Sequence, residues 1–181
     1  MPILGIMASA ISGNLWAPAG AYESISSITL SAAASTITFS GIPSTYTHLQ
    51  LRISELASSA GDNCSIQFNS DTASNYSWHY LYGNGASAGA SAGATQTNGI
   101  LYTSTAASSY PNVGVADILD YANTNKYKTV RSLGGCDANG SGTVSLFSTN
   151  WRSTSAITSI KLLRTGGNFN TNSSFALYGV K

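Results

Sequence analysis

Apolar side chains alternate with Ser, Thr and other polar residues along most of this chain, the two-residue period of a strand with one buried face. Ile28 and Leu30, then Ile37 and Phe39, flank a Ser-Ala-Ala-Ala-Ser spacer and read as a hairpin. Gly41-Ile42-Pro43-Ser44 marks a turn, because proline fixes φ and cannot donate to a ladder. Leu49, Leu51 and Ile53 alternate with Gln50, Arg52 and Ser54; Ile66 and Phe68 form a short strand between Asp- and Asn-containing turns. Further strands are expected around Val113 to Leu119 and over residues 126–133, 143–148, 157–163 and 175–180. The small-residue stretch from Gly83 to Gly99 fits flexible or flat-packed chain rather than helix. Something like nine strands with no convincing amphipathic helix predict an all-β fold, an antiparallel β-sandwich of jelly-roll type.

One strand stands out. In Asn75-Tyr76-Ser77-Trp78-His79-Tyr80-Leu81-Tyr82-Gly83-Asn84 the period of two puts Tyr76, Trp78, Tyr80 and Tyr82 on a single face. Four aromatics in a row suit a core seam, a subunit interface or a platform on which sugar rings stack. Trp78, Tyr80 and Tyr82, joined by Trp151, are the candidates for glycan binding or for an interface.

Residues 1–21 break the pattern. Ile3, Leu4, Ile6, Met7, Ile11, Leu15 and Trp16 are interrupted by Gly5, Gly13, Pro18 and Gly20, without a single charge. The expected organisation is an extended apolar arm over 1–21, followed by one sandwich domain over 22–181. An exposed arm of that kind is an aggregation hazard, so it is expected to lie on another surface as an assembly element. Each buried aliphatic or aromatic would contribute roughly 1.5–3 kcal/mol before ordering costs.

Composition sharpens that reading. Of 181 residues, 43% are hydrophobic and only 8% charged, against roughly 25% charged in an average soluble domain. Covering such a surface strips few charges of water, which suits a protein packed against copies of itself or a larger assembly. The formal net charge of +1 gives no field to steer the chain to nucleic acid or an anionic membrane. The basic run Lys126-Tyr127-Lys128-Thr129-Val130-Arg131 is split between two strand faces and forms no single patch. The apolar start lacks a positive leader, and no window approaches the roughly 20 apolar residues of a membrane span. Cys64 and Cys136 are expected as ordinary reduced thiols, although their spacing leaves a single disulfide open.

Catalytic equipment is not legible. His48 and His79 fall on separate expected strands outside any metal-ligand pattern, and no nucleophile-elbow or phosphate-loop motif occurs. Asp62, Asn63, Asn69, Asp71 and Asn75 carry oxygen ligands but match no calcium loop, and Asp and Asn are equally the common turn formers. The expectation is a non-enzymatic protein with no cofactor and no metal.

Several phrases carry a resemblance: Met1-Pro2-Ile3-Leu4-Gly5-Ile6 with Ile11-Ser12-Gly13-Asn14-Leu15, and Ala21-Tyr22-Glu23-Ser24-Ile25. With them go Ile42-Pro43-Ser44-Thr45-Tyr46-Thr47-His48-Leu49, Phe68-Asn69-Ser70-Asp71 leading into the aromatic strand, and the closing Ser174-Phe175-Ala176-Leu177-Tyr178-Gly179-Val180-Lys181. Over most of its length the chain resembles small β-rich virion structural proteins of tailed bacteriophages. The resemblance implies a capsid decoration (cement) protein, or alternatively a tail or tail-fibre component that binds host-surface glycan. It implies the virion as location, after assembly in the host cytoplasm. Implied partners are the major capsid protein or tail proteins and further copies of the chain, with a trimer suiting both positions. It brings no catalytic residues, and the charge and hydropathy of the chain lead us to expect no specific nucleic acid and no membrane as partner.

Overall fold

The computed structural model describes residues 20–59, 62–104 and 109–181. The expected arm residues, Ile3 to Trp16, lie outside the described residues. Twelve strands follow one another: β1 (Tyr22–Thr29), β2 (Thr36–Phe39), β3 (His48–Glu55), β4 (Asn63–Phe68), β5 (Tyr76–Gly83), β6 (Ala88–Gln96), β7 (Gly99–Thr103), β8 (Asn112–Ile118), β9 (Lys128–Asp137), β10 (Gly142–Trp151), β11 (Ile160–Arg164) and β12 (Ser174–Val180). No helix occurs among the described residues. Two antiparallel sheets pack as a sandwich, one of eight strands in the order β1-β12-β3-β8-β9-β10-β5-β6 and one of four in the order β2-β11-β4-β7.

That order has a simple reading. Without β5–β6 and β9–β10, the first strand pairs with the last, β1 with β12, then β2 with β11, β3 with β8 and β4 with β7. This is a ribbon doubled at its midpoint and wrapped into two sheets, the jelly-roll arrangement. The remaining four strands are two inserted hairpins that lengthen one sheet on the side of β8. The other sheet is not lengthened to match.

The core lies between the sheets. Leu49, Leu51, Phe175 and Leu177 from the long sheet meet Ile66, Phe68, Ile160 and Leu162 from the short one. These are the inward positions of strands whose outward positions are polar, as the alternation requires. The short sheet ends at β7, which lies over β9 and β10. Hydroxyls from beneath hold it there: Thr149 Oγ1 donates to the Ile100 carbonyl at 2.6 Å, and Ser132 Oγ donates to the Leu101 carbonyl at 2.5 Å. Satisfying the backbone of an edge strand in this way removes a surface that would otherwise pair with another chain.

One expectation is corrected and one is narrowed. β1 and β2 are not a hairpin but lie in different sheets, because Ile37 and Phe39 pair with β11 rather than with Ile28. The stretch after Gly83, expected as flexible or flat-packed chain, is mostly regular strand. Residues 88–96 form β6, the outer edge of the long sheet, and residues 99–103 form β7.

A polar cluster is sealed near the end of β3. Arg164 Nη1 donates to Glu55 Oε1 and to Ser104 Oγ, both at 2.8 Å, and Ser104 Oγ also donates to Glu55 Oε1. Asp62 Oδ2 stands 3.6 Å from Arg164 Nε and accepts from the Gly166 amide at 2.8 Å, while Thr165 donates to Asp62 Oδ1 at 2.6 Å. Burial pushes the Glu55 carboxyl above its usual range, and Ser104 and Arg164 offset only part of that. Lys128 is equally enclosed, its ammonium donating to the carbonyls of Asn123, Lys126 and Thr154, and burial lowers its pKa.

Candidate functional site

The two inserted hairpins build two surfaces that the jelly roll itself does not need. The first is the outer face of the long sheet. Register places Val113 of β8, Gly135 of β9, Val144 of β10 and Gly83 of β5 in one row across the strands. The next outward row runs Val115, Leu133, Leu146, Leu81 and Ala90. Alternation should make these positions polar, yet Leu81 is 60% exposed and Val144 59%. Leu133, Leu146 and Val113 are about half exposed as well.

The result is an apolar stripe running across the strands rather than along one. An open groove of about 740 Å³ runs from β1, β12 and β3 onto its β8–β9–β10 part, and a second of about 410 Å³ lies over Leu81, Ala90 and Leu146. The row beyond it is polar, with Gln50, Asp117, Arg131, Ser148 and His79. Gln50 Nε2 donates to Asp117 Oδ1 at 2.8 Å. Arg52, whose Cα lies level with Val115, turns its guanidinium onto the Tyr178 and Tyr22 rings, 4.9 and 5.5 Å from their centres, and donates to Gln50. Those ring contacts hold the guanidinium on the β3 side of the stripe, where it borders the groove with Asp137. Contiguous exposed apolar surface with a polar border is the mark of a contact site.

The second surface is on the inner side of the same hairpins. Because the short sheet stops at β7, the β5–β6 hairpin overhangs it. Trp78, Tyr80 and Tyr82 do share one face, with ring centres 5.6 and 5.7 Å apart along the strand, and Tyr80 stacks on Phe147 of β10 at 4.5 Å. Trp78 and Tyr82 lie over Gly93 and Gly89, their cross-strand partners. A Cβ at either glycine would come within 2.7 Å of a ring atom, so only glycine lets the rings settle on the β6 backbone. All three side chains are half-buried.

The fourth aromatic of the strand behaves differently. Tyr76 is fully buried; its hydroxyl accepts from the Phe68 amide at 2.9 Å, and burial raises its pKa. Trp151, grouped from sequence with the glycan candidates, is 2% exposed, packs on Phe68 and Tyr76, and donates its indole N–H to Asp71 at 2.7 Å. It presents no ring to an outside ligand and is corrected to a core residue. Burial raises the Asp71 pKa, and hydrogen bonds from Asn75, Trp151 and Ala73 outweigh that, leaving it below the usual aspartate range.

Other sequence candidates stay apart. His48 Nδ1 accepts the Asp120 amide at 3.0 Å and works as a turn clamp, whereas His79 stands exposed on the outer face. Cys64 and Cys136 are both free and buried. Asp71 and Asn75 bind each other and the chain around them, and no His/Cys/Asp/Glu cluster able to hold a metal occurs among the described residues. No helix among the described residues is long and apolar enough to cross a membrane. The outer stripe was missed because its residues read as ordinary alternating strand positions; which face is outward depends on where the short sheet ends.

No family model, curated protein or solved structure matches this chain.

Proposed function

We propose that the protein is a structural component of a bacteriophage particle, a capsid decoration protein that binds as an oligomer and acts through surface contact alone. The observation that supports this reading is the apolar stripe of Leu81, Leu133, Val144 and Leu146 on the outer face of the long sheet. Added to an already complete jelly roll, it is contact surface without a role inside the monomer. Covering it removes apolar area from water at about 25 cal/mol per Å² and desolvates few charges. A specific contact of ordinary size needs about 800 Å² from each partner, and the stripe, which crosses five strands, would form the apolar centre of one.

Purified particles test the reading. Quantitative mass spectrometry should count hundreds of copies each, and particles bearing Leu133→Asp/Leu146→Asp should lose the protein while the variant still folds. Unchanged occupancy of that variant would overturn the reading, and a handful of copies would move the protein to the tail.

The overhanging ring shelf favours a second reading, in which the protein is a tail component that stacks host glycan on Trp78 and Tyr82. Flat apolar ring faces stack on sugars, and neighbouring hydroxyls and amides supply hydrogen bonds. On a glycan array the wild-type chain should bind and Trp78→Ala should lose at least tenfold in affinity; an array without hits removes this reading.

A further inference from the structure

We infer that the apolar stripe is the docking site for residues 3–16 of a second copy of this chain. The inference rests on the assembly reading above and names the partner of its contact face.

The two surfaces are chemically matched. Residues 1–19 carry no charge, and Ile3, Leu4, Ile6, Met7, Ile11, Leu15 and Trp16 put seven large apolar side chains within fourteen positions. The two stripe rows hold no charged residue of their own, while Arg52, Asp137 and Arg131 border the grooves over them. Dimensions agree too. From β8 to β6 the stripe crosses four strand spacings, about 19 Å, which about six residues of extended chain cover. Residues 3–16 are long enough to follow it and continue into the groove over β8 and β9.

The direction of the chain selects a second copy. Pairing of the first strand persists to its very start, where Tyr22 faces Val180 and the Lys181 amide donates to the Ala21 carbonyl. The chain therefore enters β1 at that end. The row holding Val113 and Val144 is level with Thr29, at the opposite end of β1. The polar row of Gln50, Asp117 and Arg131 lies between that end and the stripe. An arm supplied by a second copy is not tied to that starting point.

Full-length protein, a deletion of residues 2–16 and the full-length Leu133→Asp/Leu146→Asp variant are compared by light scattering, with circular dichroism to verify the fold. Leu81→Asp serves as a second face variant. The wild-type chain should be oligomeric and each variant alone monomeric. Mixing the deletion, which keeps the face, with the full-length Leu133→Asp/Leu146→Asp chain, which keeps the arm, should restore a complex of the two. A wild-type monomer, a deletion that stays oligomeric, or two monomeric variants that do not complement would each overturn the inference. If the deletion stays assembled while the face variants fall apart, the face is a contact site with another occupant, and the assembly reading survives. If the face variants also keep full occupancy on particles, both fall.

Discussion

Replacing Arg164 by Met is expected to cost about 3–5 kcal/mol of folding stability, the penalty for leaving a buried carboxylate without its cation. Glu55 is fully buried and its Oε1 receives Arg164 and Ser104, so nothing else charged can take the place of the guanidinium. Urea unfolding measures the loss. The double variant Glu55→Leu/Arg164→Met should recover most of it, because a buried pair replaced whole by apolar side chains is often neutral. The defect also has a sign in pH. Burial holds the folded-state pKa of Glu55 above its ordinary value, so the folded form favours the neutral acid. The penalty is then absent below the unfolded pKa of about 4.3 and grows as pH rises toward the folded pKa. Arg164→Met should therefore lie closer to wild type at pH 4 than at pH 7. An equal loss at both would mean that Glu55 stays neutral throughout.

The second large effect contrasts two tryptophans. Trp151→Ala should cost about 3–5 kcal/mol, since it opens a cavity beside Phe68 and Tyr76 and removes the indole donor of Asp71. Trp78→Ala should cost no more than about 1.5 kcal/mol, because its ring lies on the glycine-lined edge strand at the overhang rather than between the sheets. Unfolding midpoints at matched slopes compare them directly. Equal losses would show that the ring shelf is packed core and would remove it as a binding surface. The contrast separates stability from function: the core tryptophan is a fold variant, the shelf tryptophan a surface variant.

Much of this was legible along the chain. Strict alternation at Leu49, Leu51 and Ile53, and at Phe175 and Leu177, marked strands with one buried face, and the side shared by Trp78, Tyr80 and Tyr82 followed from the same period. Residues 88–96 were not legible as a strand, because Gly and Ala give no apolar alternation; their pairing follows from the rings of β5 that need small partners. The apparent Ile28–Phe39 hairpin failed because spacing along the chain cannot say in which sheet a strand finds its partner. Trp151 was misplaced for a related reason, since an aromatic at a strand end reads alike whether it caps a core or faces a ligand.

The sequence by itself determined the all-β class, the inward face of strands such as β3 and β12 and the absence of a recognisable catalytic motif, because these depend on local period and residue chemistry. Only the tertiary structure decided which surfaces remain uncovered. Two inserted hairpins lengthen one sheet and not the other, and that mismatch leaves Leu133 and Leu146 exposed on one side and the Trp78–Tyr82 shelf on the other. Exposure is set by what packs on a face, and that partner is contributed by residues distant in the chain.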